Sequence, residues 1–499
     1  MTTGTNVKDW VSNVIRRDEI DKYLNDGKDF IDDDAIFRTL DKAKTPDKSK
    51  IRDILQKSLE IRLLDPFETA SLINVTDPEI WEEMFETAGA VKRKVYDNRI
   101  VTFAPLYCSN LCVNNCLYCA FRKDNTREKR RILSIDEVRA EARSLASMGH
   151  KRLIMVYGEH PSSSADYIAE TMEAVYGEEV KTRRGTAQIR RANINAAPMA
   201  VDDMKKLWKV GIGTYQVFQE TYHHDTYAKM HPSGIKSDYR WRLYALHRAL
   251  EAGIDDVAIG ALFGIFDWRF EVMGLVAHSA DLEEKFGIGA HTVSFPRLNP
   301  AEGCDVDTNS PYRVSDEDFK KLVTILRLSI PHAGLIITAR ESAKIRREVI
   351  PLGCTQTDAS TRIGIGSYSE QYNKQEMERQ QFILGDTRSL DEVIREFTEM
   401  GMITSFCTAG YRCGRTGDKI MKLLRTGVEG KFCKLNAVLT FREWLDDFAS
   451  DETKAAGEKL LAQEMEAVKN DPFFKGKPLL EQFLNNYERI VNGERDVFI

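Results

Sequence analysis

The chain has 499 residues, of which 42% are hydrophobic and 30% are charged, as expected of a soluble globular protein with a large apolar core. Its 71 basic and 77 acidic residues leave a formal charge of −6, which argues against a nucleic-acid-binding protein because no basic excess is present to neutralise phosphates. The polar N-terminus predicts no signal peptide, and because no uninterrupted apolar run reaches about 18 residues, we expect no membrane span.

Nine cysteines are too few for a disulfide scaffold in a chain of this length. Six of them fall into two groups, Cys108, Cys112, Cys116 and Cys119, then Cys407 and Cys413. Grouped cysteines without a signal peptide indicate metal binding in a reducing compartment, and we expect an anaerobic or low-oxygen cytoplasm.

Residues 1–95 are mostly polar and carry apolar residues at helical spacing. Asp77 is a favourable N-cap, and Pro78 follows it at the first helical position, where a missing N–H costs nothing. This segment is predicted to be an N-terminal helical extension.

Residues 96–400 alternate short β-rich runs with helical segments. The predicted strands are 101–107, 152–157, 187–195, 214–219, 256–261, 291–297, 335–339 and 354–358. Capping boxes support helix starts after Ser134, Ser315 and Ser389. Eight such repeats predict an α/β fold, a (β/α)8 TIM-type barrel, and residues 401–499 are predicted to be a mostly helical C-terminal extension.

In such a barrel, polar residues at the carboxyl ends of the strands face the active site. Almost every predicted strand delivers one there, and the candidates are Gly158, Glu159, Asn193, Asn195, Glu220, Tyr222, Arg297, Arg340 and Ser342.

The strongest chemical signal is the C-x3-C-x2-C run formed by Cys112, Cys116 and Cys119 directly after the first strand. Soft thiolates this crowded suit an iron–sulfur cluster or zinc. Three thiolates leave one iron of a cluster open for a small ligand. The alternative is a zinc site with Cys108 as its fourth ligand.

The run resembles the defining motif of radical S-adenosylmethionine (SAM) enzymes. That resemblance implies a 4Fe–4S cluster whose open iron is chelated by SAM, which one electron splits into methionine and a 5′-deoxyadenosyl radical. Gly158 and Glu159 resemble the glycine–glutamate element of the superfamily: the glycine would allow close backbone approach to the ligand, and the carboxylate would pair with the ammonium of SAM. Asn193 and Asn195 are the further candidates for cofactor binding.

The segments RRANINAAP, GTYQVFQETYH, SGIKSDYRWR and PLGCTQTDASTRIGIGSYSE resemble the tyrosine-cleaving branch, which contains a lyase of thiamine biosynthesis and a lyase that matures iron–iron hydrogenase. This resemblance implies cleavage of the Cα–Cβ bond of L-tyrosine to p-cresol and dehydroglycine. The resemblance also implies a low-potential electron donor of the ferredoxin or flavodoxin type, and it implies hydrogenase maturation proteins as partners.

For such a substrate, Arg297 or Arg340 could bind the carboxylate through a bidentate fork. Glu220, Tyr222 and Ser342 could orient the amine or the phenol. The alternative is that Arg297 and Glu220 pair with each other and only line a polar barrel mouth.

The chain departs from the hydrogenase maturase in its C-terminal region. The maturase pattern C-x2-C-x22-C, which holds a second cluster, reads here as Cys407, Gly410 and Cys433. Cys413 could replace the missing ligand with different spacing, and His291 matches a histidine that holds an extra iron in the maturase. We therefore expect an altered second cluster and impaired release of CO.

Three alternatives remain open from the sequence. One is a divergent paralogue with another amino acid substrate, and a second is a thiamine-type 2-iminoacetate synthase. The third is a non-catalytic iron–sulfur carrier or scaffold protein in which Cys108 completes four-cysteine ligation and leaves no open iron.

Overall fold

The computed structural model describes residues 7–304, 306, 310–370 and 379–499. Eight parallel strands form its centre, and the last of them pairs with the first to close them into a barrel. The strands are β1 (Arg99–Ser109), β2 (Arg152–Tyr157), β5 (Arg191–Asn195), β6 (Tyr215–Gln216), β7 (Val257–Gly260), β8 (Thr292–Ser294), β9 (Gly334–Ile337) and β10 (Gln356–Asp358). The prediction of a (β/α)8 barrel is confirmed.

The longest strand, β1, shows how alternation divides inside from outside. Phe103 and Tyr107 line the barrel interior. Leu106 and Cys108 belong to the apolar layer between the barrel and its surrounding helices. Since successive side chains of a strand point to opposite faces, the two sets occupy opposite sides of β1.

Helices surround the barrel and extend beyond it at both chain ends. Those of the N-terminal region are Val7–Asn13, Asp18–Asp21, Asp33–Lys42, Lys48–Leu59, Pro66–Ile73 and Pro78–Tyr96. Those around the barrel are Ile135–Ser147, Ala165–Tyr176, Val201–Lys209, His224–Met230, Tyr239–Leu243, Ala245–Glu251, Trp268–Phe286, Asp316–Ser329, Ala343–Val349 and Leu390–Glu399, with a 3-10 turn at Ile235–Ser237. Those of the C-terminal region are Ala409–Arg412, Gly417–Arg425, Val428–Asp447, Asp451–Asn470 and Pro478–Val491.

The predicted helix starts are observed. Ser134 and Ser389 each begin a complete capping box, in which the serine hydroxyl accepts from a backbone N–H of the first turn and the carboxylate of Glu137 or Glu392 accepts from the serine backbone N–H. The Ser315 hydroxyl accepts from the Asp318 backbone N–H. Asp77 caps its helix ahead of Pro78. These are local interactions, which is why residue order alone predicts them.

Two elements escaped prediction from the sequence. A hairpin joins β3 (Glu179–Lys181) to β4 (Thr186–Gln188), and a ninth parallel strand, β11 (Ile403–Ser405), pairs with the first three residues of β1. Strands of three residues are too short to show the alternation of apolar and polar residues by which a strand is predicted. β11 matters for function because it delivers Cys407 to the amino-terminal end of the barrel.

The helical extensions are packed on the barrel rather than separate from it. One continuous apolar core contains Ile51 from the N-terminal helices, Val257 from the barrel and Leu439 from the C-terminal helices. Within the described ranges, no helix is both long and apolar enough to cross a membrane. The division at residues 95 and 400 stays a prediction.

Candidate active site and a second cysteine pocket

The cysteine loop follows β1 at the carboxyl end of the barrel and is held by its neighbours through backbone hydrogen bonds. The N–H of Val113 donates to the carbonyl of Glu159 at 2.9 Å, and the N–H of Leu117 donates to the carbonyl of Met230 at 3.0 Å. The loops after β2 and β6 therefore position the cysteines from two sides.

Cys112, Cys116 and Cys119 carry free thiols, and they lie close enough together for each of Cys112 and Cys116 to have its pKa raised by burial and also by Cys119. Burial raises the pKa of Cys112 to about 11 and that of Cys116 to about 12, so a metal that binds there must displace protons. Side-chain amides reach two of the sulfurs: Asn114 Nδ2 lies 3.6 Å from Cys112 Sγ and Gln381 Nε2 lies 3.5 Å from Cys119 Sγ. Such N–H groups are the partners that iron–sulfur cluster sulfurs take in proteins. The three residues fit a 4Fe–4S cluster.

In the described part of the chain, no three His, Cys, Asp or Glu side chains are spaced to ligate one metal ion. A cluster of several irons spreads its thiolates over different metals, so this spacing is compatible with three-cysteine ligation of a cluster.

Cys108 does not join the other three cysteines. Its side chain is fully buried on the helix side of β1, whereas Tyr107 lines the interior. Because the strand lies between Cys108 and the cysteine loop, the predicted alternative in which Cys108 supplies a fourth ligand is wrong. Four-cysteine zinc and carrier sites built on Cys108 are thereby excluded.

Gly158 and Glu159 lie beneath the cysteine loop. A Cβ on Gly158 would stand 2.2 Å from the carbonyl oxygen of Leu111, so the glycine is needed for close approach of the loop itself. The Glu159 carboxylate accepts a short hydrogen bond from Asn114, and its pKa is raised by burial. The backbone that approaches Gly158 closely therefore belongs to the cysteine loop and not to a ligand. Contact between Glu159 and SAM stays a prediction.

A cavity of about 160 Å³ fills the barrel mouth beside the cysteine loop, and we call it the upper cavity. Cys119, Asn195, Glu220, Arg340 and Gln381 supply polar atoms to its wall. Its apolar lining includes Phe218, Leu262, Ile336 and Phe382. The lining thus combines charged and polar groups with apolar side chains, which suits a small amphipathic ligand.

Besides Asp358, whose carboxylate already accepts hydrogen bonds from the Ala339 backbone N–H and from Thr361, the described lining has one other carboxylate, that of Glu220. Its backbone φ is +69°, in the left-handed region that strains residues with a Cβ. Lys236 Nζ lies 2.7 Å from its Oε1, and Arg242 Nη2 lies 3.5 Å away. Burial pushes the pKa of Glu220 upward, but these two cations outweigh it and hold the pKa below its ordinary value. Glu220 is therefore ionised at neutral pH.

Arg340 is the cationic group of the wall. Its guanidinium stacks over the Phe382 ring at 3.3 Å from the centroid, and it forms no ion pair with the residues that the structure describes. Burial lowers its pKa to about 10, which leaves it charged at neutral pH. A partly buried, charged fork without a carboxylate partner among the described residues favours an anionic ligand.

Asn193 and Tyr222, predicted to bind cofactor and substrate, lie outside the described lining of the upper cavity. Asn193 accepts a hydrogen bond from the Thr214 backbone N–H at 3.0 Å and so braces the neighbouring strand. Tyr222 is fully buried, and its hydroxyl contacts His278 Nδ1 at 2.9 Å. The expectation that Tyr222 orients the substrate is corrected, because a structural partner already holds its polar atom.

Arg297 and Ser342 are also engaged elsewhere. Arg297 pairs with Glu341 and, at 2.8 Å, with Asp316, so the predicted pair between Arg297 and Glu220 is wrong. The Ser342 hydroxyl accepts from the Ile345 backbone N–H at 3.4 Å as the N-cap of its helix. Of the two arginines predicted to bind a carboxylate, only Arg340 lines the upper cavity.

Sequence reasoning missed four residues that complete this site: Lys236, Arg242, Asn114 and Gln381. Lys236 and Arg242 lie in the segment SGIKSDYRWR, which carries the family resemblance, and that resemblance was the available signal. Gln381 comes from a distant part of the chain, and nothing in its local sequence indicated a role.

A second, smaller pocket of about 30 Å³ lies at the opposite end of the barrel, among the amino-terminal ends of the strands. We call it the lower pocket. Cys407, Cys433 and His291 line it together with Gly410, so four positions predicted around a second cluster do meet. Cys413 is not among its described lining residues, and the expectation that Cys413 replaces the missing ligand is corrected.

Cys407 is the more acidic thiol of the lower pocket. Its sulfur lies near Cys433, Arg99 and Arg152, and these neighbours hold the pKa of Cys407 well below its usual range although burial opposes them. The neighbouring Cys407, together with burial, raises the pKa of Cys433. The backbone φ of Cys407 is +48°, a strained conformation of the kind that collects at functional sites.

Comparison with known proteins identifies the family. A model of the radical SAM superfamily matches residues 106–271, and one of the Biotin and Thiamin Synthesis associated domain matches residues 294–403. The 2-iminoacetate synthase of Escherichia coli strain K12 is 30% identical over 351 residues, which make up 70% of this chain and 88% of that protein.

Two solved structures agree over almost the whole chain. A crystal structure of HydG, described as a maturase of the FeFe-hydrogenase, is 44% identical with a TM-score of 0.88 and covers 94% of this chain and 100% of its own. HydG from Carboxydothermus hydrogenoformans is 36% identical with a TM-score of 0.76, covering 94% and 99%. Radical SAM enzymes use a 4Fe–4S cluster and SAM, which the cysteine loop fits. The chain therefore belongs to the radical SAM superfamily, in the family of tyrosine lyases that includes HydG and 2-iminoacetate synthase.

Proposed function

We propose that this protein is a radical SAM carbon–carbon lyase that cleaves the Cα–Cβ bond of L-tyrosine to p-cresol and dehydroglycine. The observation that carries the proposal is the upper cavity, which brings Cys119 of the cysteine loop together with Arg340 and Glu220 in one enclosed space. An amino acid needs a cation for its carboxylate and an acceptor for its ammonium, and Arg340 and Glu220 of the cavity lining offer these two groups.

When bound, the 4Fe–4S cluster and SAM supply the radical that begins the reaction at the substrate. Arg340 binds the substrate carboxylate, because its fork is charged and has no carboxylate partner among the described residues. The apolar side chains of Phe218, Leu262 and Phe382 in the cavity lining pack against the phenol ring and keep water from the reacting carbons.

Glu220 orients the amine. It is ionised, and Lys236 and Arg242 fix its carboxylate so that its remaining lone pairs can accept from the substrate. The strain at Glu220 is tolerated because two ion pairs determine its position.

The electron donor and the fate of the product complete the proposal. A low-potential ferredoxin or flavodoxin supplies the electron in a reducing cytoplasm, and dehydroglycine passes to hydrogenase maturation. Support for the second part is the similarity to the HydG maturases.

The proposal is tested on protein reconstituted anaerobically with iron and sulfide. With SAM, dithionite and L-tyrosine, we expect p-cresol and 5′-deoxyadenosine to form together, and neither to form in Cys116→Ser. Formation of 5′-deoxyadenosine without p-cresol would instead support a paralogue with another substrate. An EPR signal of the reduced cluster that does not respond to SAM would support a carrier.

A further inference from the structure

The lower pocket contains a carboxylate that sequence reasoning did not single out. Glu429 and Cys433 lie four residues apart on helix Val428–Asp447, so they share one face of it. The Cys433 thiol donates to Glu429 Oε1 at 3.1 Å, and both line the lower pocket with Cys407. Glu429 is only 2% exposed, so its charge is withdrawn from water and must be compensated inside the protein.

The carboxylate stands beside Gly410, the position at which the related pattern has a cysteine. A Cβ built on Gly410 would meet Glu429 Oε1 at 3.7 Å as its nearest neighbour, and then Arg415 Nε at 3.8 Å. Glu429 therefore places an oxygen near the region into which a side chain at position 410 would extend. No contact is close enough to forbid a cysteine there, and Gly410 has no left-handed backbone that would require glycine.

The polar atoms around the pocket are incompletely partnered. Glu429 Oε1 accepts from Arg415 Nε at 3.3 Å, but Oε2 is buried without a hydrogen-bond partner in the described residues. Nε and Nη1 of the buried Arg99 are also without partners there. An unpartnered carboxylate oxygen next to two thiols and surplus guanidinium donors is the environment of an anionic metal cluster.

We propose that Glu429 takes the place of the missing third cysteine, so that Cys407, Cys433 and Glu429 hold an iron–sulfur cluster in the lower pocket. The inference goes beyond the proposed lyase reaction, which uses the upper cavity. A carboxylate is a harder donor than a thiolate, and iron accepts both. The Cys433 proton that now bonds to Oε1 leaves when the thiolate binds iron, and Oε2, which has no partner among the described residues, is the oxygen open to iron.

The test counts iron in a full-length background in which Cys112, Cys116 and Cys119 are all replaced by serine, so that only the lower pocket can hold a cluster. After anaerobic reconstitution we expect about four irons and four sulfides per chain. Adding Glu429→Gln, which keeps the shape but removes the anionic donor, should reduce the iron to less than about one per chain. Adding Gly410→Cys to that variant should restore about four irons, with an EPR spectrum different from that of the background.

Each outcome decides the proposal. Retention of about four irons by Glu429→Gln would overturn it, as would a background that takes up no iron. Rescue by Gly410→Cys shows that Glu429→Gln lost a ligand and not the fold, and circular dichroism of the three proteins checks this independently. Failure here leaves the lyase proposal untouched, since p-cresol formation is measured on the native upper site.

Discussion

The two ends of the barrel assemble their cysteine sites in opposite ways. At the upper cavity, three thiols come from one loop of eight residues that follows β1. At the lower pocket, the donor atoms come from the residue before β8, the segment after β11 and a long C-terminal helix. A contiguous loop presents its ligands wherever the loop is placed, whereas the lower pocket exists only if several distant elements dock correctly.

The electrostatics of the two sites also differ. The upper cavity holds a complete ion-pair arrangement around Glu220 and one cation, Arg340, that forms no ion pair with the described residues. The lower pocket holds unpartnered donors and acceptors on Arg99 and Glu429. Because buried polar atoms without hydrogen-bond partners are costly, we expect the lower pocket to be the less tolerant of standing without a bound group. The following changes, from largest to smallest expected effect, sharpen or break this contrast.

Cys116→Ser should abolish the chemistry of the upper site. We expect at least about a thousandfold loss of p-cresol and 5′-deoxyadenosine, because the radical cluster loses one of its three thiolates. Iron in the lower pocket should remain. The matched control is Cys108→Ser, whose side chain lies on the helix side of β1 and which should keep the upper cluster. Loss of upper-site iron in the control would show that the barrel does not separate Cys108 from the loop.

Arg340→Ala should weaken tyrosine binding at the upper cavity. Loss of one charge-assisted contact costs about 2 kcal/mol, which corresponds to a fall of about 30-fold in kcat/KM, mostly through KM. Arg340→Lys should recover part of it, since lysine keeps the charge but not the fork. Steady-state p-cresol formation measures both.

The control for Arg340 is Tyr222→Phe, which removes a hydroxyl that only contacts His278. It should change kcat/KM less than about twofold while lowering the free energy of unfolding by about 1 kcal/mol. A fall in kcat/KM larger than that caused by Arg340→Ala would show that Tyr222 contacts the substrate.

The smallest expected effect concerns the attachment of the N-terminal extension. His224 contacts Asp33 at 2.9 Å and Asp29 at 3.3 Å. Although burial lowers the pKa of His224, these two carboxylates raise it from 6.5 to about 9. A raised histidine pKa gives stability that is fully present below pH 6.5 and is lost as the pH rises through about 9.

Because the imidazole is 36% exposed, the contribution should be less than about 1 kcal/mol. Thermal unfolding of the wild type and His224→Gln should differ at pH 6 and converge near pH 10. A difference that persists at pH 10 would show that the contact is not electrostatic.

The sequence by itself determined the features that depend on neighbours along the chain. The spacing of Cys112, Cys116 and Cys119, the eight strand–helix repeats and the helix caps at Ser134 and Ser389 are local patterns, and the structure reproduces them. Residues that resemble a family segment, such as Lys236, were within reach of sequence reasoning once that segment was recognised.

Only the tertiary structure decided which polar side chains meet. Arg297 and Arg340 both follow barrel strands, yet Arg297 is satisfied by Glu341 and Asp316 while Arg340 faces the upper cavity. Glu429 and Gly410 are distant in sequence, and they approach only because β11 and helix Val428–Asp447 pack beneath the barrel. Such contacts depend on the docking of whole helices and strands, and the free energy of docking comes from many apolar residues spread over those elements. The local sequence around two contacting polar residues therefore does not predict their contact.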